Sequence, residues 1–186
     1  MANIRGSAFI PRINWLKERH PAKWLEIVAA LAPATRELIE VRPLATGWYP
    51  FEQFVNLMET ADRIAGEGDL ELVRVLGHHA ATSNLSTVLR IFIRLGSPEY
   101  ILGKAAKVWS LYHDTGRSET EPQPLGPRSI ALNVFEHGAP HRVLCMTLLG
   151  WTRAYLEATG CKAVVVKETR CRLSGADCCR YEGQWV

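Results

Sequence analysis

All five cysteines of this 186-residue chain lie within its last 42 residues, at Cys145, Cys161, Cys171, Cys178 and Cys179. A chain of this length buries about 70 % of its unfolded surface and needs no disulfide network to fold. The odd number of cysteines, with no secretory segment after the first residues, argues against a disulfide scaffold. The cluster indicates either a metal site or a core that uses thiols as small apolar side chains.

The composition is that of an ordinary soluble globular protein. Hydrophobic residues make up 47 % of the chain and charged residues 22 %, and no apolar run approaches the roughly 18–20 residues of a membrane span. The formal net charge is only +3, and no two basic residues are adjacent. We therefore expect a cytoplasmic protein with no membrane span and no nucleic acid partner.

The first 115 residues have the apolar periodicity of successive helices. Pro21 opens a new helix within the first periodic stretch, and Pro50 starts another after a turn. Helices are predicted over Pro11–Leu31, Thr35–Glu40, Pro50–Ile64 and Asp69–Leu95, and a last one carries Ile101, Val108, Trp109 and Tyr112.

The character of the sequence changes at residue 116. The Gly- and Pro-rich stretch 116–127 predicts turns and an edge strand, Ser129–Phe135 a strand, and His141–Ala158 a helix. Cys161–Glu168 and Cys178–Trp185 are expected to pair as a hairpin. The order predicts one α+β domain over 1–186, with a helical part (about 1–115) packed on a small antiparallel sheet (about 116–186).

The hairpin brings potential metal donors together. Glu168 and Cys171 close one strand, and Cys178 and Cys179 begin the next. Successive side chains of a strand point to opposite faces, so Cys179 shares the inward face with Tyr181 and Trp185, while Cys178 is expected near solvent. Cys145, in the preceding helix, can reach over the hairpin. The geometry favours Cys145, Glu168, Cys171 and Cys179 as a ligand set, with burial as small hydrophobic residues as the alternative.

The same segment resembles a known family. The stretches Cys145–Gly150, Ala154–Tyr155, Val166–Arg172 and Gly175–Arg180, with Trp185, resemble the sensory domains of phenol-responsive transcription activators. Those domains belong to the 4-vinyl-reductase (4VR) superfamily, which is related in fold to TRAPP vesicle-tethering subunits and haem nitric-oxide sensors. The earlier motifs at Arg5–Phe9, Gly47–Phe51 and Trp109 are similar to an uncharacterised, mainly myxobacterial family with many paralogues.

The resemblance implies a TRAPP-like fold and a structural zinc ion held by Cys145, Glu168, Cys171 and Cys179. A site with four protein ligands leaves no open position for catalysis. The activators continue into an ATPase and a DNA-binding domain, whereas this chain stops at Val186, and its segment between Phe135 and Cys145 looks shorter than theirs. Recognition of phenol is therefore not transferred to this chain.

The predicted helix after Asp69 is polar and small in its middle, as a helix facing a pocket would be. His79 and Asn84 there, with Trp109 and Tyr112 in the last helix, are candidate ligand-binding residues for a small apolar or aromatic molecule. Exposure of the histidines and ordinary core packing of the aromatic residues are the alternatives. His137 and His141 flank the start of the Cys145 helix and are alternative metal ligands or solvated caps.

Three functions remain open at this stage. The first is a stand-alone, small-molecule-binding sensory or regulatory module with a structural zinc site. The second is a TRAPP-like scaffold without a ligand, a homodimer or a partner-binding protein with an exposed apolar helical face. The third is a reductase-type enzyme, although the sequence contains no phosphate loop, Gly-x-Ser-x-Gly or His-Glu-x-x-His motif.

Overall fold

Helices make up most of the first half of the chain in the computed structural model, which describes residues 2–83, 100 and 103–186. The helices of this described part are α1 (Ile10–Arg19), α2 (Pro21–Ala30), α3 (Pro33–Val41), α4 (Phe51–Ala65), α5 (Glu71–Ser83), α6 (Ala105–Tyr112) and α7 (Arg142–Ala158). Each of α1, α2 and α3 has a proline in its first turn, where the missing amide hydrogen costs no helical hydrogen bond. The prolines therefore begin these helices rather than break them.

Two antiparallel sheets complete the fold. Strand β1 (Asn3–Arg5) pairs with β2 (Trp48–Pro50) beside the helices. The larger sheet contains β3 (Arg117–Pro122), β4 (Ser129–Phe135), β5 (Val165–Arg170) and β6 (Cys178–Gln184) in the order β3-β4-β6-β5. The predicted α+β class is confirmed, including the strand at Ser129–Phe135 and the C-terminal hairpin. The extent of one domain over 1–186 and its division near residue 116 stay predictions.

The start of α5 is fixed by two carboxylates. Asp69, the predicted cap, accepts a hydrogen bond from the amide of Glu71 at 2.9 Å. The buried carboxylate of Asp62, from α4, accepts from the amides of Leu70 and Leu72 at 2.8 and 3.1 Å. Such bonds satisfy amides that a helix start leaves without a partner. The part of the predicted helix beyond Ser83 lies outside the described residues.

Helices α5 and α7 pack at very short range. A Cβ atom added to Gly77 would lie 2.4 Å from the carbonyl oxygen of Thr147, and one added to Gly150 would lie 1.9 Å from that of Arg74. Both glycines are therefore needed because backbone of the other helix occupies the space of a side chain. This contact joins the N-terminal helices to the helix that covers the larger sheet.

The core fills the space between these helices and the sheet. Phe9, Phe54 and Leu76 from the helical part and Leu132 and Tyr181 from the sheet belong to one buried cluster. Among the described residues, no helix combines the length and apolar character needed to cross a membrane. The predicted homodimer stays a prediction.

Candidate functional site

A cavity of about 60 Å³ lies between the helices and the larger sheet. Helices α1, α4, α5, α6 and α7 and strands β1, β3 and β4 all contribute to its wall. Its apolar lining includes Phe54, Trp109, Leu132, Leu144, Leu148 and Trp151. An apolar enclosure with a few polar groups is typical of small-molecule sites.

Polar side chains interrupt this apolar wall, among them Arg12, His113, Ser118 and Thr147. Each of these four has a buried atom without a hydrogen-bond partner among the described residues, namely Nε of Arg12, Nδ1 of His113, Oγ of Ser118 and Oγ1 of Thr147. Buried polar atoms in proteins are hydrogen-bonded in the large majority of cases. Four of the residues that line the cavity therefore each have a buried polar atom that no described residue satisfies.

His113 lies within a cluster of aromatic rings. Its ring stacks on Trp109 with a centroid distance of 4.0 Å and meets the ring of His137 edge-on at 5.2 Å. Burial lowers the pKa of His113 well below its usual value, and the charges of His137 and Arg12 act in the same direction. Burial also lowers the pKa of His137. Both imidazoles are therefore neutral at pH 7.

The predicted ligand-binding residues fall in different places. Trp109 and Tyr112 line the cavity. His79 is half-buried outside the lining, where its Nε2 lies 2.9 Å from the Oγ of Ser83. Asn84 lies outside the described residues. A binding role for any of these four stays a prediction.

The predicted donor cluster forms. One donor atom each of Cys145, Glu168, Cys171 and Cys179 lies within 4.8 Å of all the others. The sulfur atoms of Cys145 and Cys171 are 3.9 Å apart. Arg142 donates to Oε2 of Glu168, whereas Oε1 is buried without a partner among the described residues. His137 and His141 are not in this cluster, and His141 instead caps α7 by accepting from the amide of Val143.

Strand register explains why these donors meet. Glu168 on β5 is paired with Tyr181 on β6, and Cys179 lies two residues before Tyr181 on the same face. Helix α7 covers this face and contributes Cys145 from its first turns. The cluster is therefore a product of the hairpin and the helix packed on it.

The expectation that Cys178 lies near solvent is wrong, because its side chain is 3 % exposed. Strand β6 is an interior strand between β4 and β5. On the outer face Arg180 bonds Glu121 and Glu182 at 2.6 Å each, and these side chains cover the sheet. The alternation of side chains along the strand correctly placed Cys178 and Cys179 on opposite faces of the sheet. It could not show that other side chains cover both of these faces.

The thiols of the cluster differ in acidity. The pKa of Cys179 is lowered to about 6, mainly because the Cys145 thiol donates a hydrogen bond to it, and the Arg172 amide donates to the same sulfur at 3.4 Å. The pKa of Cys145 is raised by that same hydrogen bond, by burial and by Glu168. Cys179 is therefore the most acidic thiol of the cluster.

No protein-family model and no curated protein matches this sequence. Solved structures of H-NOX proteins match its fold. The crystal structure of an H-NOX protein from S. oneidensis in the Fe(II)NO ligation state has a TM-score of 0.74 at 15 % identity and covers 98 % of this chain and 99 % of its own. The Fe(II) unliganded H-NOX protein from K. algicida has a TM-score of 0.70 at 10 % identity, with 98 % and 96 % covered. The chain has the H-NOX fold.

These matches correct the family inferred from the C-terminal motifs. The 4-vinyl-reductase and TRAPP-like assignment is wrong, because structures that match nearly the whole chain are those of H-NOX proteins. The structural zinc came only with that family and is withdrawn with it, since the matched proteins are described with Fe(II) and with haem. The four donors as metal ligands stay a prediction.

Haem does not fit the described cavity. A cavity of about 60 Å³ is far below the roughly 300–1,000 Å³ of pockets for drug-sized ligands, and a porphyrin is at least as large as such ligands. His113 is the histidine of the described lining, and one face of its ring is occupied by Trp109 at 4.0 Å. The fold is shared at 10–17 % identity, so the likeness carries the architecture and not the cofactor.

Proposed function

We propose that this chain is a small-molecule-binding sensory module whose ligand occupies the cavity between the helices and the larger sheet. The observation that carries the proposal is a largely apolar wall in which four residues each have a buried polar atom without a partner among the described residues. A buried polar group without a partner costs about 1–3 kcal/mol. A ligand that satisfies these groups recovers that cost and so gains affinity.

The shared fold supports this proposal. The H-NOX structures include Fe(II)NO and Fe(II)CO ligation states, so the same architecture holds small molecules in other proteins. The cavity of this chain is built from both halves of the sequence, since residues of α1 and α5 line it together with residues of α7 and β4. A bound molecule therefore contacts elements that are far apart in the chain. Binding can then shift these elements relative to one another, and a sensor needs such a shift to change its surface.

Thermal unfolding with a library of small polar-apolar molecules tests the proposal. A ligand at one hundred times its dissociation constant stabilises the folded state by about 2.7 kcal/mol, which raises the Tm of a chain of this size by about 5–10 °C. Because Trp109 and Trp151 line the cavity, we also expect a change in tryptophan fluorescence. The proposal is wrong if no compound shifts either signal.

A cavity-filling variant locates the binding site. Ala80 on α5 lines the cavity, so Ala80→Leu places three further carbon atoms against it and should abolish the ligand-induced shift. Ala29 is exposed on α2, and Ala29→Leu serves as the matched control that keeps the shift. An equal shift in both variants would place the ligand elsewhere.

A further inference from the structure

Arg12 is a buried charge on the wall of the cavity. The side chain is 4 % exposed and lies in the first turn of α1. The N-terminal end of a helix already carries a partial positive charge, so a cation is disfavoured there. Neither the burial nor the helix position explains why an arginine occupies this site.

The described contacts of Arg12 leave its charge uncompensated. Its Nη1 donates to the carbonyl oxygen of Ala8 at 2.5 Å, and its guanidinium carbon lies 5.0 Å from the ring centroid of Phe54. Its Nε is buried and has no partner among the described residues. Burial lowers the pKa of Arg12 to about 10, which remains well above neutral pH, so the guanidinium stays charged.

The ionisable side chains around Arg12 do not compensate its charge at neutral pH. The charge of Arg12 lowers the pKa of both His79 and His113, and Tyr112 acts on the pKa of Arg12 itself, so these three groups lie close to it. No ion pair joins Arg12 to a carboxylate within the described ranges. A charge taken out of water and left unpaired is costly, and proteins pair such charges or give them a ligand.

A carboxylate is the group that completes this site. Arginine binds carboxylates through parallel N–H donors, and such charge-assisted bonds are about twice as strong as neutral ones. Ser118 and Thr147 line the same cavity, and each has a buried hydroxyl without a partner among the described residues, which makes them the candidate further donors. The apolar remainder of the wall, with Leu132 and Leu144, suits a hydrocarbon tail.

The size of the cavity limits the tail. A cavity of about 60 Å³ is less than half of the 150 Å³ in which an engineered apolar cavity binds benzene. The space therefore matches an acid with a short aliphatic tail rather than one with an aromatic ring.

We propose that Arg12 is an anion-binding residue and that the ligand of the cavity is a short-chain aliphatic monocarboxylate. The inference rests on the proposed function and names the ligand class of the same cavity. It assigns Arg12, Ser118 and Thr147 to the carboxylate and the leucines to the tail.

Calorimetric titration of the full chain with matched pairs tests the inference. Acetate, propionate and isobutyrate are compared with acetamide, propionamide and isobutyramide at constant ionic strength set with NaCl. We expect the carboxylates to bind at least about tenfold more tightly than the amides, as for a hydrogen bond to a charged group. Benzoate should bind more weakly than propionate.

Variants at Arg12 separate this inference from the proposed function. Arg12→Met removes the charge but keeps the length, and should lose the preference for carboxylates while neutral molecules still bind. Arg12→Lys keeps the charge but not the paired donors, and should retain part of the preference; it also serves if Arg12→Met does not fold. Carboxylate binding that is unchanged in Arg12→Met overturns the inference.

The two failures have different signatures. Binding of neutral molecules without a preference for carboxylates rejects the ligand class and leaves the small-molecule module in place. No binding by either series, together with a negative library screen, rejects the module itself.

Discussion

Gly150→Ala tests the short approach of α5 and α7 that forms one side of the cavity. The new Cβ would lie 1.9 Å from the carbonyl oxygen of Arg74 and 2.8 Å from the amide nitrogen of His78. Ordinary contacts of a Cβ begin near 3.4 Å, so the two helices must separate by about 1.5 Å at this point. Both atoms belong to backbone, and no rotamer change can relieve the overlap.

The magnitude follows from two opposing effects. Overpacking costs about 1–3 kcal/mol. Because backbone atoms cannot move aside as a side chain can, the upper end of about 3 kcal/mol applies here. Alanine in place of glycine in a helix returns about 1 kcal/mol. We expect a net loss of about 2 kcal/mol, which lowers the Tm by about 4–8 °C in a chain of this size.

Urea denaturation followed by circular dichroism measures this loss. Gly77→Ala crowds the same interface, with its Cβ 2.4 Å from the carbonyl oxygen of Thr147. The double variant should therefore lose less than the sum of the two single losses, because helices that have separated once accept the second methyl group. Gly138→Ala is a control for the added methyl group, since its Cβ would make only ordinary contacts, at 3.4 Å or more, with the side chain of Thr115. Unchanged stability in Gly150→Ala would refute the close approach.

Three further predictions concern the cavity and the thiol cluster. The purified chain should show no haem absorption band, because the cavity of about 60 Å³ is too small for haem. Haemin added in an absorbance titration should likewise not bind with a stoichiometry of one per chain. Binding of one haemin per chain would contradict this prediction. The Tm should fall as the pH drops from about 6.5 toward the lowered pKa of His113, because in this range histidine takes up a proton in the unfolded chain but not in the folded one. His113→Phe should flatten this fall. A Tm profile from pH 7.5 to 5 measures both. If the four donors hold a metal ion, elemental analysis should find about one metal ion per chain. The ion should be lost in Cys171→Ser and kept in Cys161→Ser, because the sulfur of Cys161 lies outside the cluster. Equal metal content in both variants would contradict the ligand set.

Local patterns in the sequence predicted the larger part of the secondary structure and the convergence of the donors, but not the small sheet of β1 and β2. The strand at Ser129–Phe135 and the pairing of the C-terminal hairpin follow from apolar alternation around turn residues. Once this hairpin is set, the face shared by Glu168 and Cys179 follows from the two-residue period. The burial of Cys178 was not predictable, because it depends on β4 pairing with β6 from 45 residues away.

The family and cofactor were inferred from a C-terminal segment, and that explains why they were wrong. The motifs between Cys145 and Trp185 describe a helix and a hairpin, whereas the structural likeness covers 98 % of the chain. The cavity-lining residues that precede residue 116 in the sequence come mostly from α1, α4, α5 and α6. These helices contribute nothing to those motifs. A resemblance confined to one part of the fold therefore covers only part of the cavity wall, such as Thr147 and Leu148, and not the part before residue 116.

Arg12 shows which signal in the sequence could have indicated the cavity. Phe9, Arg12, Ile13 and Leu16 follow the three- and four-residue spacing of one helix face, and all four are buried. Lys17, Glu18 and Arg19, by contrast, are exposed in the last turn of α1. A single charge within an apolar stripe is disfavoured by burial and, in the first turn, by the helix dipole as well. Since no local contact compensates these costs, the compensation has to come from elsewhere in the fold or from a ligand. The described residues supply no carboxylate to Arg12, and this is why we propose a ligand as its partner.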